Sequence, residues 1–516
     1  MILFSIILIL LAGALLSWMS AGWHRKAPYF IALIALLIDF ALVIKLLASE
    51  QQSSGYWFEE ITRPWIKEWG IQLHLRVDGL SVWLLILTFF IGLISVLCGD
   101  EEINERRGFY YFNLMLTLTG VAGVFMAFDL FLFYFFWELM IVPMFCLIIM
   151  WGSENRRYAA YKFFIFTQAG GLCMLISILA LYFIHYNQTG SHSFDYLDWL
   201  KISLSSATQK WLLAGFLVAF LVKLPAVVLH TWLPDAHGEA PTAGSVILAG
   251  LLLKTGAYGL LRLVLPLFPD AVQQLAQPMM IWGMLGIVYG ALLSFAQTDL
   301  KRLIAYTSVS HMGFVLLGVF SQNSLAQQGV IMQLLAHGFS TGALFVLAGY
   351  LKHRLHHRDL LQMGGFWQEA PVMGFFSMLF VLASLGLPGM ANFIAEFFIL
   401  IGSFQTSKWI TVFAASGLVF SAAYSLRIMQ KIFFGKKENP VRLSDFKWKE
   451  SLVMTLLVLP LIFLGLHPKP VMKSVEPVLN EWEQKGAIHE QISPAARSKI
   501  MNNELEQTNN SKTDPH

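Results

Sequence analysis

The segment LVKLPAV (221–227) places a lysine and a proline in the middle of an apolar run that extends over about residues 211–229. A second run, at about 374–405, is interrupted in the same way by LGLPGMANF (385–393), where Pro388 stands between two glycines. Proline removes a backbone hydrogen bond from a helix interior, and broken helices at matching places in two halves of a membrane protein indicate an ion pathway. Prolines also kink membrane helices for packing alone. The two segments by themselves leave both interpretations open.

The composition around these segments is that of a membrane protein. Of 516 residues, 57% are hydrophobic and 13% are charged, and the mean hydropathy is +0.62. Because a bilayer-spanning helix needs about 20 apolar residues, the sequence predicts an all-α polytopic membrane protein with about 14 transmembrane helices. The predicted spans are 2–19, 28–48, 79–99, 109–128, 130–152, 160–185, 211–229, 241–268, 277–296, 302–320, 327–351, 374–405, 408–431 and 450–467.

The two interrupted spans, the seventh and the twelfth, lie five helices apart. A repeat of five helices inverts its topology in the second copy, so the pattern predicts two inverted five-helix repeats, each with a broken helix. The tail is polar and poor in aromatic residues, which favours disorder or a loose helix. The predicted organisation is helices 1–3 (1–105), a first repeat of helices 4–8 (106–270), a second repeat of helices 9–13 (271–435), helix 14 (436–468) and a polar C-terminal tail (469–516).

Charge and motifs exclude several classes of function. The formal net charge is only +3, far from the basic footprint of a nucleic-acid-binding protein. Cys98, Cys146 and Cys173 lie in apolar runs and lack the spacing of zinc, iron–sulfur or haem ligands. The sequence contains no Walker loop, Rossmann glycine pattern, nucleophile elbow or HExxH motif. We therefore predict no redox centre, cofactor or metal in this chain.

Positive charge is unevenly divided between alternate loops. If both termini lie outside, the inner loops hold most of the loop Lys and Arg, including Arg106, Arg107, Arg156 and Arg157. The positive-inside rule then favours both termini on the outer side of the membrane. The outer loops hold Arg63, Lys67, Arg76, Lys201, Lys210 and Lys408.

Four ionisable residues fall near the centres of predicted spans: Glu138, Lys223, Lys254 and Glu396. Each costs roughly 2.5–3.5 kcal/mol on insertion scales when it has no partner. At about 1.5 Å per residue, Glu138 and Lys223 lie within side-chain reach in depth, which predicts an ion pair. All four lie near the midplane, with Glu396 the furthest toward the outside.

His311 and His337 fall at the same depth, in the tenth and eleventh spans. A row of carboxylate, lysine and histidine at one depth permits lateral proton transfer, because each hop must stay within reach of a hydrogen bond or one water. A static ion pair that holds helices together is the alternative for Glu138 and Lys223, and a simple hydrogen bond to a neighbour is the alternative for either histidine. Asp39 is also near mid-span, and a contact with Lys45 or a neighbouring chain is the favoured interpretation for it.

Several segments together closely resemble one family, the antiporter-like membrane subunits of proton-pumping NADH:quinone oxidoreductase, respiratory complex I. The resemblance is strong over about residues 80–435. A glutamate in the twelfth helix and a chain that ends in one short span indicate the M-type subunits, because the L and N types typically carry a lysine there and the L type adds a long lateral helix. The segments are FWELMIVPM (136–144), VKLPAVVLHTWLPDAHGEAPTAGSVILAGLLLKTGAYGLLR (222–262), FAQTDLKRLIAYTSVSHMGF (295–314), LLAHGFSTGALF (334–345) and LPGMANFIAEF (387–397).

The resemblance implies fourteen helices, inverted five-helix repeats and proton transfer by Glu138, Lys223, Lys254 and Glu396. The shared depth of His311 and His337, rather than the resemblance, adds these two as candidate relay residues. It implies a place in the bacterial inner membrane beside other membrane subunits, especially neighbouring antiporter-like ones, and beside lipids. NAD, FMN, iron–sulfur clusters and quinone would belong to partner subunits, so that this chain is a non-redox subunit of a translocase. Asp39 and the polar tail depart from the family pattern.

Two other functions compete with a proton-translocating subunit. A subunit of a multisubunit sodium/proton antiporter shares the fold, but Glu396 and the whole set of motifs argue against it. A structural scaffold, in which buried charges only fix helix packing, is disfavoured by the central row of ionisable residues. The subunits that co-purify with the chain distinguish these functions.

Overall fold

The computed structural model describes residues 1–49, 57–100, 102–436 and 442–492, with side chains up to Trp482. Fourteen membrane-spanning units, α1–α14, lie in these ranges, and two of them are broken into halves a and b. They are α1 (Ile2–Ser20), α2 (Ala27–Ala48), α3 (Gly79–Gly99), α4 (Arg107–Met126), α5 (Leu130–Trp151), α6 (Arg156–Thr189), α7a (Ser206–Lys223), α7b (Trp232–Glu239), α8 (Thr242–Leu267), α9 (Pro269–Ala296), α10 (Leu300–Phe320), α11 (Ser324–Leu355), α12a (Pro371–Ser384), α12b (Ala391–Thr406), α13 (Lys408–Phe434) and α14 (Trp448–Leu466).

This architecture confirms the predicted all-α polytopic class. Most spans agree with the hydropathy pattern within a few residues; α3 begins and ends where it was predicted. Twelve of the described helices are long and apolar enough to cross a membrane, and α7 and α12 complete the set as broken units. Helices α8 and α11 are buried along their whole apolar length, whereas α1 and α2 are buried along about a third of theirs. The core of the molecule therefore lies around α8 and α11.

Both proline segments break their helices. Helix α7a ends at Lys223, and the chain passes through turns before α7b begins at Trp232, so the predicted continuous span 211–229 is wrong over its last residues. The second break separates α12a from α12b, and Gly386 there adopts a φ of +80°. Such angles are readily available to glycine. Val228, in the first break, has a φ of +77°, which a β-branched residue rarely adopts.

A β-hairpin that the sequence analysis did not anticipate lies between α2 and α3. Strand β1 (Trp57–Ile66) pairs antiparallel with β2 (Ile71–Asp78), and Asp78 at the end of β2 caps α3 by accepting a hydrogen bond from the Ser81 backbone N–H. The Met1 ammonium contacts Glu59 of β1. The hairpin therefore lies on the face of the molecule where the chain begins.

The same face carries a last helix, α15 (Lys469–Ile492). Its apolar residues Val471, Val475, Val478 and Leu479 are buried, and Trp83 of α3 donates a hydrogen bond of 2.7 Å to the Ser474 hydroxyl. A helix with periodic apolar residues is stabilised when that apolar face is buried against the bundle. Of the tail expected to be disordered or loosely helical, residues 469–492 thus form a helix, and its part up to Trp482 packs against the bundle. Residues 493–516 lie outside the described residues.

Candidate functional site

The centre of the molecule holds a direct contact between a lysine of α8 and a histidine of α11. Lys254 Nζ lies 2.7 Å from His337 Nδ1 and 2.5 Å from the Ala249 carbonyl oxygen, and both side chains are fully buried. An ammonium group only donates, so His337 accepts through Nδ1 and is neutral when Lys254 is charged. One hydrogen bond therefore separates a lysine proton from a histidine nitrogen.

Helix α8 is irregular on both sides of this lysine. The segments Leu248–Leu252 and Leu260–Val264 form wider π-helical turns, and Lys254 lies in the regular stretch between them. Single π turns within α-helices occur often at functional sites, because they free backbone carbonyl groups and re-aim side chains. The Ala249 carbonyl that accepts from Lys254 belongs to the first of these turns. The local helix geometry thus supplies one of the two acceptors of the ammonium group.

The row continues from His337 to α10 and α12b. The rings of His337 and His311 lie 5.4 Å apart, centroid to centroid, at an angle of 80°. His311 Nε2 lies 3.7 Å from Glu396 Oε1 and 3.3 Å from both the Ser384 carbonyl and the Tyr424 hydroxyl. The structure therefore brings four of the six predicted site residues into one continuous row.

Glu396 ends this row beside the break of α12. Its side chain is 2% exposed, and Gln333 Nε2 donates to its Oε1 over 3.5 Å. Its Oε2 has no hydrogen-bond partner among the described residues. If Gly386 were a larger residue, its Cβ atom would lie 3.2 Å from that oxygen. The glycine therefore leaves room beside the carboxyl group. An exchangeable group with one unoccupied oxygen is suited to accept or release a proton.

Glu138 and Lys223 do not form the direct ion pair that their depths predicted. Lys223 Nζ lies over the Trp137 ring, 5.2 Å from its centroid, and has no hydrogen-bond partner in the described ranges. Glu138 lies against α6, where Gln168 forms a hydrogen bond with it. Its Oε1 atom occupies the space beside Gly171 that the Cβ atom of any larger residue would need. Counting along a helix gives depth but not direction around the axis, so equal depth does not ensure a direct contact.

Lys223 nevertheless packs against α8 close to Lys254 in the sequence of that helix. A Cβ on Gly256 would lie 3.0 Å from Lys223 Cβ, so the end of α7a packs directly on the turn of α8 that carries Lys254. Lys223 is fully buried and Glu138 is partly buried. The structure thus places Lys223 beside the row and Glu138 at the edge of the bundle.

The sequence analysis missed two buried basic residues near the row, Lys301 and His237. Lys301 donates to the Ala240 carbonyl over 2.8 Å and contacts Ser245 Oγ at 3.3 Å. His237 of α7b is fully buried and stacks on Phe345, and neither of its ring nitrogens has a partner among the described residues. Both residues stand in the quoted motifs, but their burial follows from packing that the sequence does not reveal.

Asp39 lies outside the row, in α2. It is fully buried, and in the described part of the chain neither carboxylate oxygen has a hydrogen-bond partner, so the expected contact with Lys45 is not formed. Within the same residues, no group of three or more His, Cys, Asp or Glu side chains is arranged to hold a metal ion.

Comparisons with known proteins place this arrangement in a family. The family described as "NADH:quinone oxidoreductase/Mrp antiporter, TM" matches residues 127–421. NADH-quinone oxidoreductase subunit M of Escherichia coli K12 is 47% identical over 494 residues, which cover 93% of this chain and 97% of that protein. The chain belongs to the NADH-quinone oxidoreductase subunit M family. It is an antiporter-like membrane subunit of complex I, as the resemblance indicated.

Solved structures agree with this assignment. A chain of the structure "Respiratory complex I from Thermus thermophilus with bound NADH" is 29% identical, with a TM-score of 0.83 over 94% of this chain and 99% of that one. A chain of the Mrp complex from Dietzia sp. DQ12-45-1b is 19% identical, with a TM-score of 0.79 over 100% of this chain and 61% of that one. The second likeness shows a shared fold alone. The chain is thus a multi-pass membrane subunit of bacterial complex I.

Proposed function

We propose that this subunit transfers protons across the membrane along the row Lys254, His337, His311 and Glu396. The observation that carries the proposal is the series of contacts along the row: 2.7 Å between Lys254 and His337, 5.4 Å between the ring centroids of His337 and His311, and 3.7 Å between His311 and Glu396. Every member is a group that can exchange a proton, and each step is within reach of a hydrogen bond or one bridging water. Proton pumping by variants of these residues tests it.

The direction of transfer that we propose is from the inner to the outer face, with both termini outside. The Met1 ammonium contacts the hairpin, and Ser474 of α15 is bonded to the first turns of α3, so the chain start and α15 share one face. Arg302 pairs with Asp235 and Arg358 with Glu239 at the opposite ends of the helices. Positive loops favour the inner side. Periplasmic accessibility of a tag at either terminus tests the orientation.

We propose that Glu138 and Lys223 start the transfer by changing the charge state of the central lysine. Lys223 Nζ is buried and has no hydrogen-bond partner among the described residues, so a change in the charge of Glu138 would act on an ammonium group that no direct bond holds in place. We expect Glu138→Ala and Lys223→Ala each to lower NADH-driven pumping at least about tenfold, or about 1.4 kcal/mol in the barrier. Dye-quenching assays on membrane vesicles, at matched amounts of assembled complex, measure this.

Glu138→Asp is the matched control, because it keeps the charge and shortens only its reach. We expect it to pump better than Glu138→Ala. Assembled Glu138→Ala complex that pumps and turns over like wild type would remove Glu138 from the mechanism.

His237 is proposed as the inner entry to the row. It is within electrostatic reach of both Lys301 and Lys254, and its two ring nitrogens have no partner in the described ranges. We expect His237→Phe to reduce pumping several-fold, because phenylalanine keeps the stacking on Phe345 but cannot carry a proton. Pumping at the wild-type rate would exclude His237 as a relay. Lys210→Arg, on the exposed surface of α7a, is the control variant, and we expect it to pump like wild type.

The two predicted repeats (106–270 and 271–435) remain a proposal, which a duplicated backbone motif supports. Asp129 caps α5 and forms an isolated bridge with Asp195, whereas Asp299 caps α10 and forms the same bridge with Asp359. The first motif adjoins the hairpin, through the bond from the Gln72 N–H to Asp129. The second adjoins Arg358, which pairs with Glu239. Two copies of one motif at opposite ends of the bundle are what an inverted repeat requires.

The partners that we propose are the remaining membrane subunits of complex I, with neighbouring antiporter-like subunits and lipids against the half-exposed outer helices. NADH oxidation, with FMN and iron–sulfur clusters, and quinone reduction belong to other subunits. The alternative is a subunit of a multisubunit sodium/proton antiporter, since the matching family includes such proteins. Co-purification tests both: subunits with flavin and iron–sulfur motifs support complex I, and small membrane chains without a redox subunit support the antiporter.

A further inference from the structure

A buried histidine of the hairpin bridges two carboxylates on the outer face. His74 Nδ1 lies 2.5 Å from Asp195 Oδ2, and His74 Nε2 lies 2.9 Å from Glu60 Oε1. The histidine is on β2, Glu60 is on β1, and Asp195 caps the short helix Tyr196–Trp199 that follows α6. The side chain of His74 is 3% exposed. Three separate segments thus meet at one imidazole ring.

The geometry requires one more proton than a neutral histidine carries. A neutral imidazole has one N–H group, and its second nitrogen presents a lone pair. Both nitrogens here face carboxylate oxygens at hydrogen-bond distance, so a proton must lie in each contact. Asp195 Oδ1 already accepts from the Leu197 backbone N–H over 2.8 Å, as an ionised carboxylate does. The cluster is satisfied when His74 is an imidazolium ion.

Arg76 contacts Glu60 of the cluster itself, and the other charged groups named here have partners outside it. Asp129 accepts backbone hydrogen bonds from Gln72 and Leu132, and burial raises its pKa to about 6. On the same two strands, Arg76 lies 3.7 Å from Glu60 and Glu59 contacts the Met1 ammonium. The remaining ones are Asp78, which pairs with Arg262 of α8, Asp198, which accepts from Ser193 and Lys201, and His192, whose Nδ1 lies 2.5 Å from the Tyr182 hydroxyl.

We propose that His74, Glu60 and Asp195 form a proton-binding clamp that fastens the hairpin to the outer loop of α6 and that opens when its proton is lost. Backbone bonds also join these segments: the Phe128 N–H donates to the His74 carbonyl, and the Tyr196 N–H donates to the Phe128 carbonyl. These backbone bonds do not depend on pH, so the clamp adds the pH-dependent part of the attachment. In the orientation proposed above, this is the face on which pumped protons accumulate.

The sign of the effect follows from proton linkage. Burial lowers the pKa of His74, but the bonds and charges of Asp195 and Glu60 outweigh it and raise the pKa above the ordinary value near 6.5. A raised native pKa stabilises the docked hairpin fully below about pH 6.5, and this stabilisation is lost as the pH rises through the native pKa. Each unit of the rise changes the docking equilibrium about tenfold.

Hydrogen–deuterium exchange of the intact complex tests the clamp, with peptides from Trp57–Ile66 and Ile71–Asp78 corrected for intrinsic exchange. Between pH 7 and 9.5 we expect hairpin protection in the wild type to fall about tenfold or more. Asp129 has mostly titrated below this window. His74→Gln and Glu60→Gln should lower protection at pH 7 and make it nearly independent of pH. His192→Gln, next to the hairpin but without a carboxylate partner, should behave like the wild type.

Two results would overturn the clamp: wild-type protection that is flat over this range, or a fall in His74→Gln as large as in the wild type. Glu60 is on the partly exposed side of the hairpin, so Glu60→Gln provides the test if His74→Gln does not assemble. The readout is independent of pumping, so a failure here would leave the proposed proton row untouched.

Discussion

Lys254→Arg is expected to lower NADH-driven proton pumping at least about tenfold while the complex still assembles. Lys254 Nζ donates to His337 Nδ1, and both residues are fully buried at the contact of α8 and α11. Arginine keeps the positive charge, but a guanidinium group does not release its proton in a protein. The first hop of the row would therefore be blocked without a change in net charge. Vesicle assays of pumping and NADH:quinone turnover at matched assembly measure the effect.

Lys254→Gln separates the two possible roles of the lysine. If Lys254 carries protons, the arginine and glutamine variants should both be inactive. If it acts only as a fixed charge, arginine should pump near the wild-type level and glutamine should not. Lys210→Arg makes the same exchange at an exposed position of α7a and should leave pumping unchanged. An active Lys254→Arg would turn the row into an electrostatic element and move proton transfer elsewhere.

Counting residues along helices relates positions by depth, because the rise per residue of a helix is fixed. Lys254, His311, His337 and Glu396 were placed at one level by counting residues, and the structure brings them into contact across four helices. Rotation about the helix axis is about 100° per residue, so an error of one residue changes the face on which a side chain lies. Glu138 shows the consequence, because it is bonded by Gln168 of α6 and Lys223 Nζ has no hydrogen-bond partner among the described residues.

The hairpin and α15 lack a long apolar run, so hydropathy and residue counting did not predict them. The hairpin strands mix charged and aromatic residues, and their burial against Phe128 and the α6 loop appears only in three dimensions. In α15 the apolar residues are periodic but sparse. They are buried beside α3, and the Arg262 guanidinium group lies over the Trp482 ring. The hydropathy of a single segment does not report the surface on which it packs, so the hairpin was not predicted and the tail was expected to be disordered or loosely helical.

The roles of the six site residues stay predictions, but the structure ranks them. Lys254 and His337 share a direct hydrogen bond, and His311 approaches Glu396 at 3.7 Å. Lys223 has no partner among the described residues and must move, or gain a water, to exchange a proton. The steps that need motion are thus at the α7 end of the row. At the α12 end, only small shifts are needed to bring His311 and Glu396 into hydrogen-bond distance. Glu396 is therefore the best position at which to test proton exchange by a side chain.

Glu396→Gln is expected to abolish most pumping, to below about a tenth of wild type, although it barely changes the shape of the site. Glutamine has the same size, and its carbonyl can still accept the hydrogen bond that Gln333 donates to Glu396 Oε1. What it lacks is an exchangeable proton next to His311. Loss of pumping would therefore report the chemistry of the carboxyl group rather than packing.

Two further variants make this test decisive. Glu396→Lys restores an exchangeable group and should recover part of the activity, because the space left by Gly386 admits a longer side chain. Gln333→Met removes the weak 3.5 Å donor while keeping volume, so it should cost at most a few-fold. The expected order of pumping is therefore Gln333→Met above Glu396→Lys above Glu396→Gln. A fully active Glu396→Gln would mean that protons leave the central row before α12, and the outward branch would then have to begin at His311 or His337.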